Sequence, residues 1–220
     1  MRKITGLIIA AAAFVVLLVA LGRAHDPGRS RASELESSSS QDEFSGDDPG
    51  QTPPIKPTDP FPLPDPLVDP SVRIDKSLRM LTVFSEARPV KHYQVSLGTE
   101  PAGDKEAEGD GRTPEGEFYV CTKNSASQYH RSIGLSYPNA EDAERGLASK
   151  MISKREHRTI IEAMRHLKQP PWNTALGGEI MIHGGGTRAD WTAGCIAISD
   201  KDAEELYNAL PLGTSVLIEP

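Results

Sequence analysis

Two hydrophobic rhythms alternate along residues 71–220. In the first half, short runs rich in β-branched and aromatic residues recur, with polar residues interleaved. They are "SVRIDKS" (71–77), "RMLTVFS" (79–85), "VKHYQVSLG" (90–98), "GEFYVCTKN" (116–124) and "RSIGLSYP" (131–138). Gly, Pro, Asn and Asp separate several of them, as in hairpins and meanders. The period then changes. In 154–168, Ile160, Ala163, Met164 and Leu167 fall on one face at helical spacing, and "QPP" (169–171) stops the pattern. Strand-like runs return at "EIMIH" (179–183) and "GCIAIS" (194–199). Ser199 stands as an N-cap before the acids of "DKDAEELYNAL" (200–210), and "TSVLIEP" closes the chain as a last strand. The pattern predicts a mainly β domain of about eight strands. A sandwich or partly closed barrel accommodates it, with a helical insertion and a C-terminal helix.

The N-terminal third has a different texture. Residues 4–21, "ITGLIIAAAAFVVLLVAL", carry no charge and follow a basic Met1-Arg2-Lys3. This is a signal peptide or an uncleaved membrane anchor, and residues 1–24 are set apart from the fold on that ground. The positive flank orients the rest of the chain away from the cytoplasm, into the periplasm or cell envelope. Residues 25–70 are rich in Ser, Asp, Glu and Pro, with few large apolar residues, and read as a disordered linker. A catalytic or binding domain over 71–220 remains.

Charge sharpens that division. The formal net charge is −7 over 220 residues. The linker holds most of the acidity, so the folded part has no strong single-sign bias. With no basic run either, nucleic acid is not an expected partner.

The chemistry concentrates in "IMIHGGGTRADWTAGCIAIS" (180–199). Cys195 and Cys121 are the chain's two cysteines. In an exported protein a disulfide is the ordinary reading of such a pair, yet Cys121 sits in an apolar strand run and reads as a buried hydrophobe. Cys195 follows Gly194 at a strand start, and His183 ends the preceding strand. A thiol used as a nucleophile needs a base within hydrogen-bond reach, an orienting group on that base, and backbone N–H groups for the oxyanion. The glycine-containing loop 184–192 permits the approach. The same spacing also suits a buried thiol and a packed histidine. Other cysteine chemistries fit less well. Papain-like peptidases run Cys before His. Sortases run His, Cys, Arg, and no Arg follows Cys195. No second ligand pair at usual spacing supports zinc, and neither a metal nor a cofactor is expected. His92, His130, His157 and His166 sit in no chemical context.

The residues "IHG…TAGCIAIS" resemble the active-site segment of the L,D-transpeptidase (YkuD-type) catalytic domain. "GDGRTPEGEFYV" (109–120) resembles the family's second marker, and the two stand in the family's order. "SQYHRSIGLSYPN" and "ALGGEIMIHGGG" are similar to a compact murein subgroup. The resemblance covers about residues 71–219. It implies an exported enzyme acting on peptidoglycan stem peptides. Cys195 would be the nucleophile and His183 the base. The Gly184 carbonyl would orient the imidazole, and the N–H groups of Gly194 and Cys195 would form the oxyanion hole. Thr192 matches the Ser/Thr of the signature. Ala193 departs from its second His, and Ala197 from an Arg common in the family. Thr192, Arg188, Trp191 and Tyr137 are candidate substrate contacts. The implied reaction passes through a thioester on Cys195 to an amine acceptor, making a cross-link or a protein attachment. Release by water, detaching wall-linked protein, stays open. So does an inert wall-binding module. Membrane contact through residues 4–21 is expected if they are uncleaved. No protein partner is specified.

Overall fold

A computed structural model describes residues 58–220. The expected signal or anchor (1–24) and most of the expected linker (25–57) lie outside the described residues. No helix among the described residues is long and apolar enough to cross a membrane.

Eight strands form one sheet. In chain order they are β1 (Ser71–Asp75), β2 (Met80–Ser85), β3 (Arg88–Gln94), β4 (Gly116–Ser127), β5 (His130–Leu135), β6 (Met181–His183), β7 (Ile196–Ala197) and β8 (Ser215–Glu219). Their order across the sheet is β3-β2-β1-β8-β4-β5-β6-β7. Most neighbours are antiparallel, but β1 runs parallel to β8 and β6 parallel to β7. The sheet stays open, and the chain after β3 spans the gap between its two edges. There Ser96 pairs with Ala197, each N–H donating to the other's carbonyl at 2.8 Å. The mainly β architecture with a helical insertion and a C-terminal helix is the one expected from the sequence.

The alternation that marks the strands also builds the core. Val72 and Ile74, Leu81 and Val83, Phe118 and Val120, Val216 and Ile218 put one face of each strand into a shared buried cluster. Each such aliphatic side chain contributes about 2 kcal/mol by leaving water. Helix α3 (Asp200–Ala209) covers this cluster with Ala203 and Leu206. Its start is the expected one: the Ser199 hydroxyl accepts from the Asp202 N–H at 3.2 Å.

The insertion is a pair of helices, α1 (Ala140–Ala148) and α2 (Lys154–Arg165), each opened by a capping box from Asn139 and Ser153. They bury a small separate cluster of Ala143, Ile152, Ile160 and Leu176. The Tyr119 hydroxyl ties the end of α2 to β4 by donating to the Lys168 carbonyl at 2.7 Å.

The ordered fold begins earlier than residue 71. The Asp59 N–H donates to the His92 carbonyl at 3.0 Å, and the His92 N–H donates back to the Asp59 carboxylate at 2.9 Å. The Leu63 N–H donates to Glu205 at 2.8 Å, and Leu63 and Leu67 pack on the core. The Pro- and Asp-rich composition masks these two spaced leucines, which are enough to lay 58–70 along β3 and α3.

Candidate active site

Parallel pairing of β6 with β7 sets the site. Ile182 stands opposite Ile196 and His183 opposite Ala197. Alternation along paired strands then puts Met181, His183 and Cys195 on one face, away from buried Ile182 and Ile196. His183 and Cys195 open into one cavity of about 380 Å³, walled by the tip of the β4–β5 hairpin and by Ser132 and Glu179. Among its described lining residues, the Glu179 carboxylate is the one fixed charge. None of the lining comes from 140–170, so α1 and α2 do not form its wall.

The imidazole is held on three sides. Its Nδ1 lies 2.6 Å from the Gly184 carbonyl, which can only accept, so Nδ1 carries the proton and Nε2 is the basic nitrogen. The Tyr129 ring stacks on it at 4.6 Å and 22°, and Trp191 meets it edge-on at 5.6 Å and 68°. The Trp191 indole N–H donates to the Gly186 carbonyl at 3.2 Å, which fixes the folded-back loop. His183 is 3 % exposed. Burial holds its pKa below the ordinary 6.5, and the bond to the Gly184 carbonyl works in the opposite direction.

The thiol sits between two backbone groups of the neighbouring segment. The Met181 N–H donates to Cys195 Sγ at 3.4 Å, and the thiol donates to the Glu179 carbonyl at 3.4 Å. Burial pushes the thiol pKa above its ordinary 9.0. The Met181 N–H pulls it back, the Glu179 carboxylate adds to the rise, and Lys105 opposes it. The two shifts run in opposite directions, and each favours the uncharged form of its group, thiol and free imidazole.

The turn before Cys195 is clamped. The Thr192 hydroxyl donates to the Cys195 carbonyl at 2.7 Å and accepts from the Gly194 N–H at 3.1 Å. This corrects two expectations. Thr192 is 4 % exposed and serves the turn, not the substrate. The Gly194 N–H is already taken, so it is not an open oxyanion donor. Gly194 is required for another reason. It has a φ of +134°, and a Cβ there would stand 2.6 Å from the Arg112 carbonyl oxygen. The "GRTPEG" and "TAGC" segments, far apart in sequence, meet at this contact.

The other sequence candidates divide. Trp191 reaches the site, though as a wall of the imidazole. Arg188 is exposed on the loop and does not line the cavity. Tyr137 is a core residue: it is fully buried and its hydroxyl donates to the Leu176 carbonyl at 2.8 Å. "YPN" reads as a strand end and turn, which conceals how deep that strand end lies. Ala197 is fully buried under the pairing with Ser96, whereas Ala193 is exposed. Both cysteines are free. Burial pushes Cys121 up to about 12, so it stays a thiol at physiological pH. His130, His157 and His166 pair with Glu204, Glu144 and Glu162 away from the cavity.

Sequence reasoning missed Tyr129 and Glu179. Tyr129 comes from a hairpin tip whose polar setting gives no hint of a ring below it. Glu179 is hidden in a strand run, where its φ of 55° breaks the strand geometry beside the thiol.

Solved structures with similar chain traces include an L,D-transpeptidase from Xylanimonas cellulosilytica, with 19 % identity over 72 % of this chain and 64 % of that one, at a TM-score of 0.41. The helical cell shape determining protein Pgp2 from Campylobacter jejuni has 22 % identity over 68 % of this chain and 47 % of that one, at 0.47. Bd1075 from Bdellovibrio bacteriovorus has 20 % identity over 75 % and 51 %, at 0.44. In each case the chain spans less than two thirds of the other protein's length. No curated protein matches the chain. The family model described as the L,D-transpeptidase catalytic domain (YkuD) matches residues 69–218, and the chain belongs to that family.

Proposed function

We propose that the chain is a Cys195-dependent acyltransferase acting on peptidoglycan stem peptides. One observation carries the reading: the one thiol and the one imidazole among the described residues lining the cavity stand on the same face of two paired segments. Family membership supplies the substrate class.

The chemistry follows from the neutral pair. Cys195 Sγ attacks the donor carbonyl and passes its proton to Nε2 of His183. We assign the developing oxyanion to the N–H of Cys195. The tetrahedral intermediate collapses to a thioester, and the leaving amine, the terminal D-alanine of a tetrapeptide donor, takes the proton from His183. An acceptor amine then attacks the thioester and gives its proton to His183, and Cys195 leaves as the thiol. Tyr129 and Trp191 keep the ring in place while the proton moves in and out. The bond from Nδ1 to the Gly184 carbonyl stands where other enzymes use a carboxylate.

Water in place of the amine gives a hydrolase by the same first half-reaction. The exposed Ala193 and the buried Ala197, which depart from the His and the Arg of the resembled signature, favour keeping this second reading. Export to the cell envelope, with or without retention by residues 4–21, belongs to both.

The test uses the full chain, wild type and Cys195→Ala, with tetrapeptide-containing muropeptides and with protein-linked peptidoglycan, products read by mass. Cys195-dependent dimers or D-alanine exchange establish the transferase. Cys195-dependent loss of linked protein without new cross-links establishes the hydrolase. If a carbapenem fails to acylate Cys195 and both substrates stay intact, the enzyme reading is wrong and an inert wall-binding module takes its place.

A further inference from the structure

Asp200 lies outside the signature and outside the cavity, yet it is bonded to the peptide that holds the base. The peptide unit between Gly184 and Gly185 has two polar ends. Its carbonyl accepts from His183 Nδ1 at 2.6 Å. Its N–H, that of Gly185, donates to Asp200 Oδ1 at 2.8 Å. Imidazole, peptide and carboxylate therefore form one hydrogen-bonded chain.

The local sequence explains why an anchor is needed. Gly184, Gly185 and Gly186 are consecutive, and Gly185 and Gly186 have φ values of 109° and 95°. Such a run can rotate its peptide planes at little cost. A flip of the 184–185 plane would turn the carbonyl away from Nδ1 and present an N–H to it. The Gly184 N–H donates to the Tyr129 carbonyl at 3.0 Å and the Gly186 N–H to the Ile198 carbonyl at 2.8 Å, which fix the preceding and following peptides and not this one. The carboxylate position is itself set by the fold. Asp200 is the first residue of α3, directly after the Ser199 N-cap. It sits so close to Gly184 that a Cβ there would meet Oδ1 at 2.4 Å.

We propose that Asp200 is a positioning residue for the acyl transfer: by accepting from the Gly185 N–H it locks the 184–185 peptide, and through it the Nδ1–H tautomer of His183. The consequence for catalysis rests on the function proposed above. The tautomer does not, because it is set without substrate. Asp200 is exposed, so solvent screens its charge, and the geometry of the acceptor oxygen does the holding. Helix dipole alone would give Asp200 a purely structural use, and the variants below separate the two.

The experiment takes the full chain as wild type, Asp200→Asn, Asp200→Glu and Asp200→Ala. The imidazole nitrogens are read by long-range proton–nitrogen NMR, with His183 assigned by His183→Gln. Cys195 reactivity is read by iodoacetamide alkylation at neutral pH. Asn keeps an oxygen in place and is expected to retain both the tautomer and the rate. Glu keeps the charge at the helix start but displaces the oxygen. Glu and Ala are both expected to mix the tautomers and to slow alkylation about tenfold, the usual cost of losing an outer support. If Ala does not fold, Glu decides alone. An unchanged tautomer and rate in Glu or Ala, even with a lower melting temperature, overturns the proposal, and so does an Asn variant as impaired as Ala. A wild type that shows this response but never acylates on stem peptides sinks the function proposed above and leaves Asp200 as the anchor of the imidazole.

Discussion

The carbonyl oxygen of Arg112 lies 2.6 Å from where a Cβ on Gly194 would stand. The contact joins the two sequence markers and seats the turn that carries the thiol. Gly194→Ala adds a clash with backbone, which cannot swing aside as a side chain can. It also places a side chain at a φ of +134°. Strain of this kind costs about 1–3 kcal/mol. The expected outcome is a lower melting temperature together with loss of Cys195 acylation, since the turn must shift to fit. Acylation at the wild-type rate in Gly194→Ala would show that this contact does not seat the thiol.

Thr192 uses one hydroxyl twice, toward the Cys195 carbonyl and from the Gly194 N–H. Thr192→Val preserves shape and removes both bonds, leaving two buried backbone groups without a partner. The expected cost is about 1–3 kcal/mol in stability, with a larger fractional loss of kcat than of KM, because the group touches the backbone of the proposed nucleophile and not the substrate. Thr192→Ser restores the hydroxyl and is expected to restore most of the turnover. Chemical denaturation and steady-state kinetics on the three proteins check this. A Val variant that raises KM alone would return Thr192 to the substrate side.

Cys121 lies half-buried in β4, with its thiol held protonated by burial. It has no path to the chemistry. Cys121→Ser exchanges a small hydrophobe for a hydroxyl and is expected to cost about 1 kcal/mol of stability with turnover unchanged. The measurement is paired: melting temperature and donor acylation on the same preparations. A stable but inactive Cys121→Ser protein contradicts the assignment of all thiol chemistry to Cys195.

Strands β1, β4 and β8 were legible because Val72 and Ile74, Val120 and Thr122, and Val216 and Ile218 fall on a period of two, and α3 because Ser199 and its following acids mark a helix start. Helix α1 was less legible, although Asn139 and Asp142 form a capping box. Its Gly146 sits where a helix former would help the pattern, and Leu176 crowds that position: a Cβ there would stand 2.9 Å from its side chain. The site was half legible. His183 and Cys195 stand on the one short segment that carries the family resemblance, and that resemblance, more than their spacing, singles them out. Tyr129, Glu179 and Asp200 reach the site through pairing and helix placement, which a local pattern does not encode. Tyr137 and Thr192 show the opposite error. Their polar groups suggest substrate, but each hydroxyl is consumed by a backbone partner inside the fold.

The opposed pKa shifts at the site fix the pH behaviour. His183 is held below 6.5, so it stays a free base at pH values where an ordinary histidine begins to charge. The acid limb of donor acylation is therefore expected below pH 6.5. Cys195 is held above 9.0, so alkylation is expected to climb steeply only above that value, without a thiolate plateau near neutrality. Stability follows His183 with its own sign. The folded value lies under the unfolded one, so the unfolded chain takes up the proton first. This contribution is complete above about pH 6.5 and is lost as pH falls through the window below it. Glu179 provides the check on the thiol. Its carboxylate adds to the rise of the Cys195 pKa, so Glu179→Gln lowers it, moves the alkylation curve to lower pH and speeds alkylation at neutral pH. The variant keeps the Glu179 carbonyl that accepts from the thiol, so the geometry is retained while the charge is removed. A wild-type alkylation curve with its midpoint near neutral pH would mean a preformed ion pair. An unmoved curve in Glu179→Gln would mean that the Glu179 charge has no part in setting the thiol.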